Sequence, residues 1–117
     1  YCLNVSTEPR GVGAAVLIRA VEPLSGLDRM RLARGRDGLR DAELARGPGN
    51  VCRAFGIGPA YDGLDLDADE RLVVGDDGAS PAIGTSVRIG LTRAVARPHR
   101  YYARGSRALS GRRSLSP

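Results

Sequence analysis

YCLNVSTEPRGVGAAVLIRAVEPLSGLDRMRLARG, residues 1–35, is the stretch from which the architecture follows. Residues 1–6 (YCLNVS) and 14–21 (AAVLIRAV) are rich in apolar and β-branched side chains, and the turn-prone TEPRGVG separates them. That pattern predicts a β-hairpin or two neighbouring strands of one sheet. Pro23 ends the second strand, and Ser25 stands where the N-cap of a following helix is expected. The helix is placed from about residue 26 to 34, with Leu27, Met30 and Arg34 at helical spacing and Gly35 as its stop.

Outward from this stretch the pattern continues in short pieces. RDGLRDAELARG is a charged connection with a helical turn expected at 40–45. GPGN at 47–50 leads into VCRAFGI, a short helix with Val51, Ala54 and Phe55 on one face and Gly56 as its stop. Residues 58–77 show little periodicity and are expected to form a loop with one short turn. TSVRIGLT (85–92) and RYYAR (100–104) alternate well enough to predict two further strands. Residues 1–110 are read as one domain and 111–117 as a frayed tail. The fold class is α+β, a mostly antiparallel sheet with a few short helices.

Composition bounds the function. At 117 residues the chain supports one domain with a modest core, and the absence of Trp with a single Phe makes that core aliphatic. AAVLI is strand-sized, far below the roughly 20 apolar residues that a membrane helix needs. Cys2 and Cys52 make no disulfide framework and are expected to be reduced and buried. All 18 basic residues are Arg. Residues 62–77 hold seven acids and only Arg71, whereas no acid follows Asp77 and eight arginines do. An acid-free basic stretch suits a polyanion such as DNA, although an arginine-for-lysine bias in a GC-rich genome gives the same composition. With no Lys, the chain offers no side-chain amine for a Schiff base.

Few residues stand out as chemistry. GPGN ahead of a helix offers backbone N–H groups and the positive end of a helix dipole to a phosphate, though most such runs are simply tight turns. Arg19 interrupts an apolar strand, and strand alternation alone places it on the solvent face. Asn4 in a strand is ordinarily an edge residue, and Arg34 is ordinarily on a solvated helix face. His99 has no carboxylate partner in any recognisable order, and no metal-ligand spacing is present.

YCLNV, AAVLIRAVEPLSGL, MRLARG, GPGNVCRAFGI, VRIGLTRA and RYYARGS occur in the order in which similar words occur in the alkyladenine (3-methyladenine) DNA glycosylase family, which the chain resembles over most of residues 1–110. The resemblance implies one α+β domain that needs no cofactor or metal and acts as a monomer in the cytoplasm, at the nucleoid. Its partner would be double-stranded DNA containing alkylated bases. The alkylated purine is flipped from the duplex and stacked between aromatic rings, and a Glu activates the water that attacks the sugar. With no Lys present, the implied activity is hydrolysis without strand cleavage.

The resemblance also assigns roles. Arg19 and the backbone carbonyl of Leu91 would face the attacking water, and Asn4 would line the base pocket. Arg34, with Gly47, Gly49 and Asn50, would lie against the DNA backbone, although the family usually has Lys where this chain has Asn50. The catalytic Glu and the aromatic stackers are expected ahead of Tyr1, so the 117 residues alone are expected to be inactive. The alternative is a non-catalytic remnant that binds nucleic acid weakly.

Overall fold

The computed structural model describes residues 1–90, 92–93 and 96–111. It is an α+β domain of three helices and two small antiparallel sheets. The expected hairpin forms between β1 (Asn4–Ser6) and β2 (Ala15–Leu17), with Asn4 opposite Leu17, Val5 opposite Val16 and Ser6 opposite Ala15. Ile18 N–H to the Leu3 carbonyl (3.0 Å) and Thr7 N–H to the Ala14 carbonyl (3.3 Å) extend the ladder at both ends. The second strand is shorter than the 14–21 expected, because the chain changes partners after Ile18. Ala20 bridges to Arg46, and Val21 donates to the Ala45 carbonyl at 3.2 Å. That switch ties the hairpin to the helices.

Helix α1 (Leu27–Arg34) opens on Gly26, not on Ser25. Gly26 is left-handed (φ 70°) and its carbonyl accepts from Met30, so Ser25 lies one residue too far out to cap. Gly35 closes the helix as expected, left-handed and donating to the Arg31 and Leu32 carbonyls. A single turn, α2 (Asp41–Leu44), precedes α3 (Pro48–Phe55). Helix α3 starts at Pro48, ahead of the expected Val51, because proline's fixed φ suits a first helical position. Its buried side chains are Val51, Cys52 and Ala54. Phe55, expected on that face, is 44% exposed at the last helical position, where the packed cluster has ended.

The core is small. Leu44, Ala45, Val51, Ala54 and Met30 pack together, with Ile18, Val21, Leu27 and Leu39 against them. Burial of each large member is worth roughly 1.5–3 kcal/mol, so the helices and the end of the hairpin share one apolar centre. Cys52 is buried as expected, but Cys2 is exposed near the start of the hairpin.

β3 (Ile83–Ser86) and β4 (Arg100–Ala103) form the second sheet, with Gly84 opposite Tyr102 and Ser86 opposite Arg100. The strand expected at 85–92 therefore begins and ends early; Gly90 at φ 76° is incompatible with an extended ladder. The acidic stretch is a loop with a 3-10 turn at Pro59–Tyr61. Asp65, Asp69, Asp76 and Asp77 each accept the backbone N–H two residues on, so these acids shape turns. Among the described residues no helix is long and apolar enough to cross a membrane.

Candidate active-site cleft

The two sheets do not pair with each other, and an open cleft of about 1330 Å³ lies between them. One wall is β2 and its continuation to Glu22; the other is β4 and the segment that follows it to Ser110. Four arginines line it: Arg19, Arg88, Arg100 and Arg104. Glu22 is the one carboxylate among its described lining residues, and it accepts from the Ser106 hydroxyl at 2.6 Å. The cleft is therefore basic, with no uncommitted carboxylate facing the arginines.

Arg19 is half-buried in the cleft wall, so it takes neither the solvent face that alternation suggested nor the core. Its Nε–H is buried and has no hydrogen-bond partner among the described residues. Burying an unpaired donor of this kind typically costs about 1–3 kcal/mol, more for a charged group. Arg100 is the deeper of the pair, at 5% exposure. It donates to the Ser86 hydroxyl (3.4 Å) and the Ser110 carbonyl, and its guanidinium lies 5.8 Å from the centre of the Tyr102 ring. Burial, and then the positive charge of Arg19, push the Arg100 pKa down, with Tyr102 opposing. Two cations thus face one region, and among the described residues neither is paired with a carboxylate.

The remaining expected residues are scattered. Asn4 is exposed on β1 and does not line the cleft, although Leu17 opposite it does. Leu91 lies outside the described residues; Ile89 and Gly90, just before it, line the cleft. Gly47 is the N-cap of α3 at φ 105°, Gly49 is exposed in the first turn, and Pro48 between them touches the cleft. Asn50 turns its amide back to the Arg46 carbonyl at 2.7 Å.

Arg34 is not on a solvated face. It is 6% exposed and donates to the carbonyls of Glu43 (3.0 Å) and Leu44, fixing α1 against the end of α2. Burial, then Arg36 and Arg53, push its pKa down. Sequence reasoning missed the cleft positions of Arg88, Arg100 and Arg104. Their signal was the acid-free run after Asp77, which marks a basic surface without telling which arginines share it. Among the described residues no group of three or more His, Cys, Asp or Glu could hold a metal ion.

The chain matches the methylpurine-DNA glycosylase family over residues 1–107. It belongs to that family. A protein of Mesorhizobium japonicum that carries the provisional name 3-methyladenine DNA glycosylase is 51% identical over 114 residues, a match covering 97% of this chain and 54% of that protein. One of Paraburkholderia phytofirmans with the same provisional name is 45% identical over 117 residues, covering 98% of this chain and 54% of its own. A third, from Granulibacter bethesdensis, is 44% identical over 119 residues. The chain thus spans about half the length of the curated relatives it matches.

Proposed function

We propose that this methylpurine-DNA glycosylase family chain is the DNA-handling part of a monofunctional N-glycosylase of base excision repair. It would work as a monomer on double-stranded DNA, where hydrolysis releases an alkylated purine that has been flipped from the stack. The observation that carries this reading is the cleft of four arginines with the unpartnered Arg19 Nε–H in its wall. A basic concave surface attracts a phosphate backbone, and Arg19 would hold the water that attacks the sugar. The Leu91 carbonyl would be its second partner, Asn4 would face the base from β1, and Gly47, Gly49 and Asn50 would approach the backbone beside Pro48. Arg34 would serve from within, by setting α1 against α2. The absence of Lys favours water over an amine as nucleophile.

For the 117 residues alone the reading is narrower. General-base catalysis contributes roughly 10²–10⁴-fold in rate, and Glu22, bound to Ser106, is the one described carboxylate in the cleft. The chain is expected to bind duplex DNA and to release no base. Fluorescence anisotropy with duplex DNA across salt concentrations, beside an assay for free methyladenine from alkylated DNA, tests both halves. Four arginine contacts predict a slope of log affinity on log salt of about −3 to −4. Binding that ignores salt would overturn the DNA reading, and base release by this chain would overturn its inactivity.

A further inference from the structure

Glu22 is out of place by charge. A cleft suited to a polyanion gains nothing from a carboxylate, yet Glu22 lines it together with Arg19, Arg88, Arg100 and Arg104. Elsewhere in the chain carboxylates take arginines as partners: Asp28 and Asp41 hold Arg31, Glu43 holds Arg40 and Asp69 holds Arg71. Glu22 makes no ion pair among the described residues. It accepts instead from the neutral hydroxyl of Ser106, 84 residues along the chain, at 2.6 Å.

The serine is set to hold that carboxylate. Its bond has the length of an O–H donated to a charged oxygen, about 2.5–2.7 Å. The Ser106 hydroxyl oxygen also accepts the Ala108 N–H at 3.3 Å, and the Ser106 N–H donates to the Ala103 carbonyl at 3.4 Å. Those bonds fix Ser106 in the turn that leads from β4 to Ala108, which is 1% exposed. The hydroxyl proton is thereby left to Glu22. Arg104, two residues before Ser106, is exposed, lines the cleft and is in no ion pair among the described residues. A carboxylate released by Ser106 meets that guanidinium next along the same segment. Exposed ion pairs are weak, so one short bond from a fixed donor is enough to keep Glu22 off it.

We propose that Ser106 is a positioning residue for anion binding: by holding Glu22 it keeps Arg104 free for a phosphate of the DNA backbone. The hydroxyl touches no ligand and acts only through the carboxylate that it restrains. Its effect on binding rests on the DNA reading of the cleft, whereas the placing of Glu22 does not.

S106A lets Glu22 pair with Arg104. Salt titrations of duplex binding are then expected to lose about 0.9 in slope, which is about eightfold in affinity at about 0.1 M salt when the lines converge near about 1 M. S106A/E22Q is expected to regain the slope, because a neutral amide does not compete for Arg104. In an R104Q background S106A removes nothing further, and S106T, which keeps the hydroxyl, binds like the unaltered chain. A serine that merely shapes its turn gives a different pattern, in which the loss persists in S106A/E22Q. NMR spectra of the arginine side chains read the same switch without DNA. The Arg104 Nε–H is expected to exchange freely in the unaltered chain, to slow about fivefold or more in S106A, and to exchange freely again in S106A/E22Q. Should S106A fail to fold, the unaltered chain decides. A protected Ser106 hydroxyl proton beside a freely exchanging Arg104 Nε–H supports the assignment, and a protected Arg104 Nε–H overturns it. Undiminished DNA binding by folded S106A, or equal losses in S106A and S106A/E22Q, would overturn it as well. An unaltered chain that binds no duplex would fault the glycosylase reading, with the side-chain spectra still deciding where Glu22 is held.

Discussion

Arg46 reaches 63 residues along the chain to donate its Nε–H to the Leu109 carbonyl at 2.6 Å. Its Nη2 also reaches the Gly111 carbonyl at 3.3 Å, while Arg100 takes the Ser110 carbonyl between them. Two guanidiniums, one from beside α3 and one from β4, hold three consecutive carbonyls just after the buried Ala108. The contact makes the second sheet part of the same folded unit as the helices. R46Q is expected to lower the unfolding free energy by about 1.5–3 kcal/mol, the range for hydrogen bonds from a charged donor. Urea unfolding of R46Q, of a chain ending at Ala108 and of the double variant checks it: both changes remove the Arg46 contacts, the truncation removes the Arg100–Ser110 contact besides, and the double variant should lose less than the sum of the two.

Arg34 makes a second prediction, and it separates stability from DNA contact. Its guanidinium satisfies the Glu43 and Leu44 carbonyls from inside the domain. R34A takes the charged donor from both carbonyls and leaves the Glu43 carbonyl with only the backbone N–H of the turn that follows, at a cost of about 2–3 kcal/mol in thermal or chemical unfolding. The effect on duplex binding, measured where the variant is still folded, is expected to be negligible. R104Q, from the exposed side of the cleft, should do the reverse: unfolding unchanged and the salt slope of DNA binding reduced by about one.

Gly84 lies under the Tyr102 ring across the β3–β4 pair. A Cβ placed there would stand 2.3 Å from Tyr102 Cζ, well inside contact distance. G84A must therefore displace the ring, and with it the surface on which Arg100 rests. The expected loss is about 1–3 kcal/mol, as for other overpacked sites. G84A combined with Y102S should recover part of it, since the smaller side chain vacates the space. If the single variant melts with wild type, the ring is not held where the register places it.

What the sequence revealed follows from the range of each signal. The hairpin was legible because TEPRGVG and its flanks lie within 21 residues, and the helix stops at Gly35 and Gly56 because a left-handed glycine acts locally. Ser25 misled by one position, since Gly26 adopts the cap conformation unaided. The fates of the arginines were not legible. Arg34 is buried by carbonyls of α2, and Arg100 by Ser86 and Ser110, partners that no local pattern names. The cleft belongs to the same class: residues 15–22 and 99–110 meet only through the fold.

Acid sensitivity at the start of α2 supplies the last prediction. The Arg40 side chain donates to Glu43 through Nε and Nη2, and the Arg40 backbone N–H donates to the same carboxylate at 3.1 Å. Those bonds, the side-chain ones first, hold the Glu43 carboxyl at about 2 in place of its ordinary 4.5. A carboxyl depressed on folding adds stability above its unfolded value and loses it as protons bind to the folded form. The contribution of Glu43 is therefore complete above about pH 4.5 and disappears as the pH falls towards about 2. Asp69, held at about 2 by Arg71 against an ordinary 3.8, titrates within the same window. E43Q isolates the first group: the amide still accepts from the Arg40 N–H and keeps the cap, but it does not titrate. Melting temperatures from pH 6 to 2 should fall for both proteins, and less for E43Q, with the difference confined to the interval below about pH 4.5. Because both side chains of the pair are partly solvent-exposed, added salt should narrow that difference. Parallel curves for the two proteins would mean that the Arg40–Glu43 contact is not made in solution.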